Sequence, residues 1–498
     1  MQSISLLVVC LSVVAGAVAG VETFVHSEVY TTLRNQGTAE VMIHFREDAN
    51  LDELKFEDEN QDGTVSRAEK RSQVRNFLKD FNDRSQEKAR VELDAVHVDY
   101  TSYWIANAIS VKNLNSKLLE NLMKVAGHEI KSILPGMHGG IYRVKPTAVG
   151  NVMSKNELSG DPIQWNIKKV TADKMWEKGF NGSGVVVATL DGGVNYQHES
   201  LVDGYRGSKA DGTFDHDYNW NDWAYKNAVP FDSDGHGTNV AGIMSASHGY
   251  GVAPGAKWIS GKIFNYAGYS ATSWTLGGCQ FVMCPSPVNK PGKDENCSLG
   301  ADVVSCSWGE DDATEPYLKK IIKAWEKSDM VPVFAVGNAG PKCGTSVSPS
   351  DYSGVVGVGA SSQSDNIMDY SSRGPANINS SVLTMHKDPL PYDALAPAIV
   401  APGYDIQGPS CNSNDGYNGM SGTSQAAPHV AGGAALLLSA KPSLSSQAVI
   451  KALQNGAARK SLQDPDGNDS CGGIKWNTFP NYIYGFGRLD VFNSYNNL

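Results

Sequence analysis

The second half of the chain alternates between short, continuous apolar runs and longer apolar segments with helical spacing. The short runs are rich in β-branched and aromatic residues: Val185–Leu190, Trp258–Phe264 and Val333–Val336. Runs of this length are typical of strands buried on both faces of a parallel sheet. The longer segments, Thr272–Met283 and Ala426–Leu438, predict helices between and after them. This alternation predicts an α/β domain with a central parallel sheet.

Between residues 21 and 145 the pattern is more charged and has a different character. Two strands and two helices are predicted there: a strand at Glu40–Phe45, a helix over Val74–Phe81, a strand at Trp104–Val111 and a helix over Leu118–Val125. Strand, helix, strand, helix predicts a small α+β module in front of the α/β domain. The predicted boundaries are 21–145 for the module, 146–163 for a linker and 164–498 for the α/β domain.

The first 20 residues have yet another pattern. Ser5–Gly20 is apolar, ends in small residues and is followed at once by Glu22. The stretch is short for a membrane span, and it predicts a secretory signal peptide at residues 1–20, with a signal anchor as the alternative. We therefore expect a secreted, extracellular protein that is not membrane-bound after signal removal.

Composition narrows the class of protein. At 498 residues the chain exceeds one ordinary domain, and its net charge of −11 argues against a nucleic-acid partner. Cys306 lies inside an apolar run and is predicted to be a free thiol. Outside the signal segment six other cysteines allow up to three disulfides, with one local bridge expected among the first three: Cys279, Cys284, Cys297, Cys343, Cys411 and Cys471.

Four polar residues occupy positions that this fold can bring together. Asp191 follows a predicted strand, Asn338 follows another, and His236 and Ser424 each precede a helix of small residues. Each has an ordinary structural explanation as a cap or turn residue. Together they supply a nucleophile, a base, a carboxylate that orients the base and an amide that can donate to an oxyanion.

The motifs around these residues resemble those of the subtilisin-like serine proteases (subtilases), with local similarity to the bacillopeptidase F group. They are Asp191-Gly192-Gly193, Gly235-His236-Gly237-Thr238, Gly337-Asn338 and Gly422-Thr423-Ser424-Gln425-Ala426. The resemblance runs from about Gln164 to the C-terminus. It implies a three-layer subtilisin-like fold in which Asp191 orients His236, His236 serves as base and then acid, Ser424 attacks and Asn338 stabilises the oxyanion. It also implies polypeptide substrates and no cofactor for catalysis.

The same resemblance implies how substrates bind and how the enzyme matures. Two segments are expected to pair with the substrate backbone: Ala267-Gly268-Tyr269 and Ser307-Trp308-Gly309. For Trp308 a core position is an equal alternative. Residues 21–145 weakly resemble an inhibitory propeptide, so the chain is expected to be a monomeric, autoprocessed zymogen with its own propeptide as partner. The cleavage site is expected between Gly136 and Asp161.

One position departs from the family pattern. Gly192 stands where subtilases usually have Ser or Thr, and a lost hydroxyl hydrogen bond costs about 1 kcal/mol. A catalytically impaired subtilase-like binding protein or inhibitor is therefore the alternative function.

Residues 58–69 match the calcium loop of an EF-hand. Oxygen ligands recur at the spacing that the loop requires, with Gly63 at its sixth position: Asp58, Asn60, Asp62, Thr64 and Glu69. The flanking segments Leu51–Phe56 and Ala68–Phe81 are expected to form its two helices. This predicts a structural Ca²⁺, and a solvated acidic connector is the alternative.

Overall fold

The computed structural model describes residues 23–58, 63–137, 140–154, 163–311, 316–375, 395–465 and 470–498. Residues 23–137 form one unit, which we call the N-terminal unit, and residues 163–498 form a larger C-terminal unit. Residues 141–154 run along the C-terminal unit, and we call them the cleft segment. The predicted signal peptide lies outside the described residues.

A five-stranded sheet with the spatial order β1-β5-β2-β4-β3 forms the N-terminal unit, and only the β1–β5 pair is parallel. Its strands are β1 (Phe24–Val25), β2 (Thr38–Phe45), β3 (Tyr100–Tyr103), β4 (Ala108–Asn115) and β5 (Ile130–Pro135). Its helices are α1 (Ser27–Gln36), α2 (Arg67–Ser85), α3 (Glu87–Ala95) and α4 (Ser116–Ala126). The predicted α+β character is confirmed.

The predicted strand at Trp104–Val111 is wrong in its first half. Residues 104–107 form a turn, and only Ala108 onward belongs to a strand. The apolar side chains of Trp104, Ile105 and Ala106 are buried in a core shared with Leu276 and Phe281 of the C-terminal unit. Their hydrophobicity therefore reflects an interface between the two units rather than a strand.

The predicted helix at Leu51–Phe56 is also wrong. Leu51–Glu53 is a single 3₁₀ turn, and the chain continues in extended form. Contacts with the C-terminal unit hold this segment, because Asp52 pairs with Lys323 at 2.8 Å and the Lys327 ammonium lies 5.5 Å from the Phe56 ring. The second predicted helix is confirmed as α2, and its N-cap Ser66 forms a capping box with Glu69.

Short strands and helices connect the cleft segment to the main sheet. The cleft segment contains β6 (Tyr142–Arg143), β7 (Ala148–Val149) and β8 (Met153–Ser154), and α5 (Trp165–Lys169) and α6 (Ala172–Glu177) follow it. A seven-stranded parallel sheet then forms with the order β10-β11-β9-β12-β14-β15-β16. Its strands are β9 (Val186–Asp191), β10 (Trp220–Asp222), β11 (Lys257–Lys262), β12 (Val303–Cys306), β14 (Val331–Ala335), β15 (Val356–Ser361) and β16 (Ile399–Pro402).

Helices cover both faces of this sheet. The elements outside it are α7 (His236–Ser245), α8 (Thr272–Met283), β13 (Trp308–Gly309), α9 (Pro316–Lys327), β17 (Ile406–Pro409), β18 (Gly416–Ser421), α10 (Thr423–Ala440), α11 (Ser446–Gly456), β19 (Ser470–Cys471), β20 (Ile474–Lys475) and α12 (Val491–Asn496). Val333 packs in one core with Val430 of α10, whereas its neighbour Phe334 packs in another with Phe281 of α8. Alternate strand residues thus face opposite layers, which confirms the predicted three-layer α/β fold.

Two disulfides join parts of the C-terminal unit. Cys284–Cys297 is the predicted local bridge, and Cys343–Cys471 spans 128 positions. Cys279, Cys306 and Cys411 are free, so two of the three allowed disulfides form and Cys306 is a buried thiol as predicted. Within the described ranges, no helix combines the length and apolarity that crossing a membrane requires.

We expect the longer disulfide to stabilise the fold more than the shorter one. It closes a loop of 128 residues against 13, and a longer loop loses more entropy in the unfolded chain. The Cys343→Ser/Cys471→Ser variant should lose about 2–5 kcal/mol of unfolding free energy, and Cys284→Ser/Cys297→Ser should lose about 1–2 kcal/mol less. Urea denaturation measures both. An equal or larger loss from breaking the short bridge would contradict this expectation.

Candidate active site

Asp191 and His236 form a buried pair at the carboxyl edge of the sheet. Asp191 is the last residue of β9. The strands that follow β9 in sequence lie on both sides of it in the sheet, with β10 and β11 on one side and β12 to β16 on the other. Open α/β sheets bind their ligands at such a switch point. His236 Nδ1 lies 2.8 Å from Asp191 Oδ1 and 3.0 Å from Oδ2. The Gly192 N–H donates to Asp191 Oδ1 at 2.6 Å. The carboxylate is therefore held by a backbone donor and can orient the imidazole.

Two glycines allow this pair to form. A Cβ on Gly237 in α7 would lie 2.1 Å from the Gly193 carbonyl oxygen, and one on Gly193 would lie 1.8 Å from the Phe231 carbonyl oxygen. Gly193 also has φ +106°, a conformation that favours glycine. The turn after β9 and the start of α7 thus approach more closely than side chains would permit.

Ser424 lies in the first turn of α10, where unpaired N–H groups favour negative charge. Pro428 follows four residues later inside the helix and has no N–H to donate to the Ser424 carbonyl. The Ser307 hydroxyl donates to that carbonyl instead, at 3.1 Å, and the contact is fully buried. Ser307 therefore holds the backbone of Ser424 from the neighbouring strand segment.

Asn338 follows β14 and has a fixed amide orientation. Its Oδ1 accepts hydrogen bonds from the Thr423 N–H and hydroxyl, both at 2.9 Å, so its Nδ2 points away from α10. That Nδ2 donates to the Lys145 carbonyl at 2.8 Å. A Cβ on Gly422 would lie 3.1 Å from Asn338 Nδ2, so the glycine keeps space for the amide.

Ser424 and Asn338 contact the cleft segment at two consecutive carbonyls, those of Val144 and Lys145. The Ser424 hydroxyl donates to the Val144 carbonyl at 2.6 Å, and Asn338 donates to the next carbonyl along the chain. The Nε2 of His236 is buried without a hydrogen-bond partner among the described residues, so its lone pair is available to a hydroxyl proton. A hydroxyl and an amide donor thus meet the cleft segment at neighbouring carbonyls, and the buried Asp191–His236 pair leaves one ring nitrogen without a partner among the described residues.

The cleft segment lies as the middle strand between the two predicted substrate-binding segments. On one side the Arg143 N–H donates to the Gly268 carbonyl at 2.9 Å, and Tyr142 bridges to Tyr269. On the other side the Val144 N–H donates to the Ser307 carbonyl at 2.9 Å. These contacts have the antiparallel form that extended peptides adopt when they add to a sheet edge.

Three other predicted groove residues, Trp308, Gly309 and Ala267, differ in whether they contact the cleft segment. Arg143 pairs with Trp308, and Tyr142 with Gly309, in the β6–β13 register. The Trp308 side chain is 1% exposed and packs edge-on against Phe334, so its ring belongs to the core while its backbone lines the groove. The Ala267 N–H donates to Asn265 within its own turn.

Sequence analysis missed the continuation of the groove beyond Lys145. The Thr147 N–H donates to the Ser421 carbonyl and the Gly150 N–H to the Gly419 carbonyl, both at 2.7 Å, so β18 holds the far side. The glycine-rich sequence before Ser424 gave no strand signal, because Gly and Asn are depleted in strands.

Lys262 is a second residue that sequence analysis missed. It is fully buried at the end of β11, and its ammonium donates to the Gly192 carbonyl and to Ser233 Oγ. It also lies 4.7 Å from the centre of the Phe231 ring. Burial lowers the pKa of Lys262 despite several nearby carboxylates. The signal was present as a lone cation inside the apolar run Trp258–Phe264.

The candidate calcium loop is only partly within the described residues. Asn60 and Asp62 lie outside them, and Asp58 Oδ2 accepts the Gly63 N–H at 2.7 Å. The Glu69 carboxylate accepts the N–H and hydroxyl of Ser66 at 2.8 and 2.7 Å, which caps α2. In the ranges that the structure describes, no group of three or more His, Cys, Asp or Glu side chains is placed to hold a metal ion.

The structure has a buried Asp–His pair at the carboxyl edge of an α/β sheet and a serine at the start of a nearby helix. This arrangement is typical of serine hydrolases. A family model described as "Subtilase family" matches residues 182–477. The chain belongs to this family, as the motifs predicted.

The chain is similar to two bacterial proteases. It is 30% identical to bacillopeptidase F of Bacillus subtilis over 450 residues, which is 86% of this chain and 28% of that protein. It is 29% identical to serine protease AprX of the same organism over 63% of this chain and 67% of that protein. The chain thus spans little more than a quarter of bacillopeptidase F.

The fold also matches a solved structure. Fervidolysin from Fervidobacterium pennivorans, a keratinolytic enzyme related to subtilisin, aligns with a TM-score of 0.58 and 19% identity over 96% of this chain and 63% of that chain. The overall likeness supports the fold.

We expect the Ser307 hydroxyl to stabilise the fold because Pro428 leaves the Ser424 carbonyl without a donor from the helix. Ser307→Ala leaves the buried Ser424 carbonyl without a donor, which should cost about 1–3 kcal/mol of unfolding free energy. Pro428→Ala supplies the missing N–H, so the double variant should lose at least about 1 kcal/mol less than the sum of the single variants. Thermal denaturation of the three variants measures this, and additive losses would contradict the coupling.

Proposed function

We propose that this chain is a serine endopeptidase made as an inactive precursor, and that it matures by cutting its own Val144–Lys145 bond. The single observation that carries the proposal is the course of the cleft segment. It runs antiparallel between two strand segments with the Val144 carbonyl 2.6 Å from Ser424 Oγ. Residues 21–144 are then the propeptide, one residue shorter than the sequence predicts.

The residues around this bond have the roles of a catalytic triad. Ser424 transfers its proton to His236 Nε2 and attacks the Val144 carbonyl carbon, while Asp191 stabilises the resulting imidazolium. In this structure the Asn338 amide donates to the Lys145 carbonyl. In the reaction it would instead donate to the Val144 oxygen and stabilise the negative charge that develops there. The imidazolium then protonates the Lys145 nitrogen as the peptide bond breaks. Water releases the acyl group in the same way.

After cleavage the propeptide would act as an inhibitor because its contacts extend beyond the cleft. Ile141 and Val144 are almost fully buried, so both ends of this short strand fill apolar space. Farther away, Arg71 of α2 donates to the Cys297 and Ala301 carbonyls at 2.9 and 3.2 Å. These contacts would hold the N-terminal unit on the enzyme as a product complex.

The departure at Gly192 does not favour the impaired-enzyme alternative. Although position 192 has no hydroxyl, the Asp191 carboxylate still forms hydrogen bonds with the Gly192 N–H and the His236 ring. The geometry of the Asp–His pair therefore supports an active enzyme.

Secretion and calcium binding are separate proposals. Two disulfides suit an oxidising compartment, and the pattern of residues 1–20 supports export.

Calcium would be held by residues 58–69, and calorimetry on the full-length Ser424→Ala chain tests it. Heat of calcium binding that disappears in Asp58→Ala supports the site, and no heat at millimolar calcium excludes it.

We expect Ser424→Ala to abolish maturation. The variant loses the nucleophile, so the precursor should keep its full size, while the wild type should yield a product with Lys145 at its N-terminus. Mass spectrometry and N-terminal sequencing of both proteins, purified without other proteases, measure this. Processing of the variant at the same bond would show that another enzyme cuts it.

Activity on other proteins needs its own test. The mature wild type should hydrolyse casein, and a serine-reactive phosphonate should abolish this by modifying Ser424. A processed protein that neither cuts casein nor reacts with the phosphonate would favour the binding-protein alternative.

A further inference from the structure

The side chain that precedes Val144 is an arginine buried beside the catalytic histidine. Arg143 forms an ion pair with Asp234, and the arginine side chain is only 7% exposed. The Tyr142 hydroxyl of the same strand also donates to a carboxylate, that of Asp311, but the tyrosine carries no charge. This pair is therefore a contact in which the groove recognises a specific charged side chain.

Asp234 is fixed in place by the residues that build the catalytic site. One carboxylate oxygen accepts the His236 N–H at 3.1 Å, and the other accepts the Arg143 guanidinium. Burial favours the neutral acid, but the charge of Arg143 and the His236 N–H outweigh it, so the pKa of Asp234 is lowered. The carboxylate is thus a rigid, ionised acceptor that needs little reorganisation to bind a cation.

A second carboxylate stands behind the first. Asp232 Oδ1 accepts the Asp234 N–H at 3.2 Å, and its Oδ2 accepts the N–H and hydroxyl of Thr238. Lys262 is the facing cation, but its ammonium is bound to Gly192 and Ser233. Asp191 on β9 adds a further negative charge that His236 shares. Burial and the charge of Asp234 raise the pKa of Asp232, so Asp234 is the carboxylate that balances the guanidinium.

Gly192 supplies the space for this side chain. A Cβ at position 192 would lie 3.2 Å from Arg143 Nη1 and 3.5 Å from Asp232 Oδ1, closer to the guanidinium than ordinary packing allows. Gly268 borders the other side, where a Cβ would lie 3.5 Å from Arg143 Nη2. The residue that departs from the family pattern is thus the residue that leaves room for a guanidinium.

We propose that this pocket, formed by Gly192, Asp234 and Asp232, makes the enzyme selective for substrates with arginine or lysine at P2, the second residue before the cleaved bond. The inference rests on the proposed endopeptidase function and adds a substrate class to it. Arg143 in the propeptide would then be the chain's own example of the preferred residue, with the small apolar Val144 at P1.

Internally quenched peptides test the preference with the mature wild-type enzyme. The peptides carry Ile-Tyr-Xaa-Val-Lys-Pro-Thr, the sequence of residues 141–147, with arginine, citrulline, lysine, alanine or glutamate as Xaa. Citrulline has nearly the shape of arginine without its charge. We expect kcat/KM for arginine to exceed that for citrulline by about 10- to 100-fold, the usual effect of one charge-assisted hydrogen-bonded pair.

Two variants assign the preference to the pocket. Asp234→Asn should reduce the arginine-to-citrulline ratio to less than about 3-fold, because the pair loses its charge. Asp211→Asn, which removes an exposed carboxylate in a distant turn, is the matched control and should keep the wild-type ratio. Gly192→Thr should lower the ratio of arginine to alanine at P2 by crowding the guanidinium.

The outcomes separate the two proposals. If the wild type cuts the arginine and citrulline peptides equally, the P2 proposal is wrong and the endopeptidase proposal stands. If it cuts none of the peptides and no casein, the endopeptidase proposal itself is wrong. An unchanged ratio in Asp234→Asn would assign the preference to another part of the groove.

Discussion

The structure depends on one set of backbone hydrogen bonds, those that make the cleft segment the middle strand of the groove. Gly268 and Ser307 accept from successive N–H groups of this strand, and this sets its register to the residue. The register then determines which carbonyl meets Ser424 and which side chain meets Asp234. A shift by one residue would turn Arg143 away from its carboxylate and present a different bond to the serine.

The candidate catalytic groups come from distant parts of the chain, and the parallel sheet brings them together. Asp191 and Asn338 follow the carboxyl ends of β9 and β14, and these ends meet at one edge. His236 and Ser424 begin helices that pack against each other in the same layer. Close approaches at Gly193 and Gly237 make the arrangement possible, so these two glycines are requirements of the site's geometry.

Several residues serve the fold and the site at once. Ser307 gives its carbonyl to the cleft segment and its hydroxyl to the backbone of Ser424. Lys262 binds the turn after Asp191 to the loop that carries Asp234, although burial disfavours its charge. The N-terminal unit also contributes to the packing of the C-terminal unit, because Trp104 and Ile105 are part of one of its hydrophobic cores. The stability of the C-terminal unit therefore depends partly on the N-terminal unit.

The sequence by itself determined the α/β class, the family and the four candidate catalytic residues, because periodicity and short motifs are local properties of the chain. It misjudged Trp104–Asn107 and Leu51–Phe56, whose apolar residues are explained by contacts between the two units. It also left Gly192 as an unexplained departure. Only the tertiary structure decided which carbonyl lies against Ser424, that Asp234 pairs with Arg143, and that Gly192 borders this pair. These depend on distances between residues far apart in sequence, which no local pattern encodes.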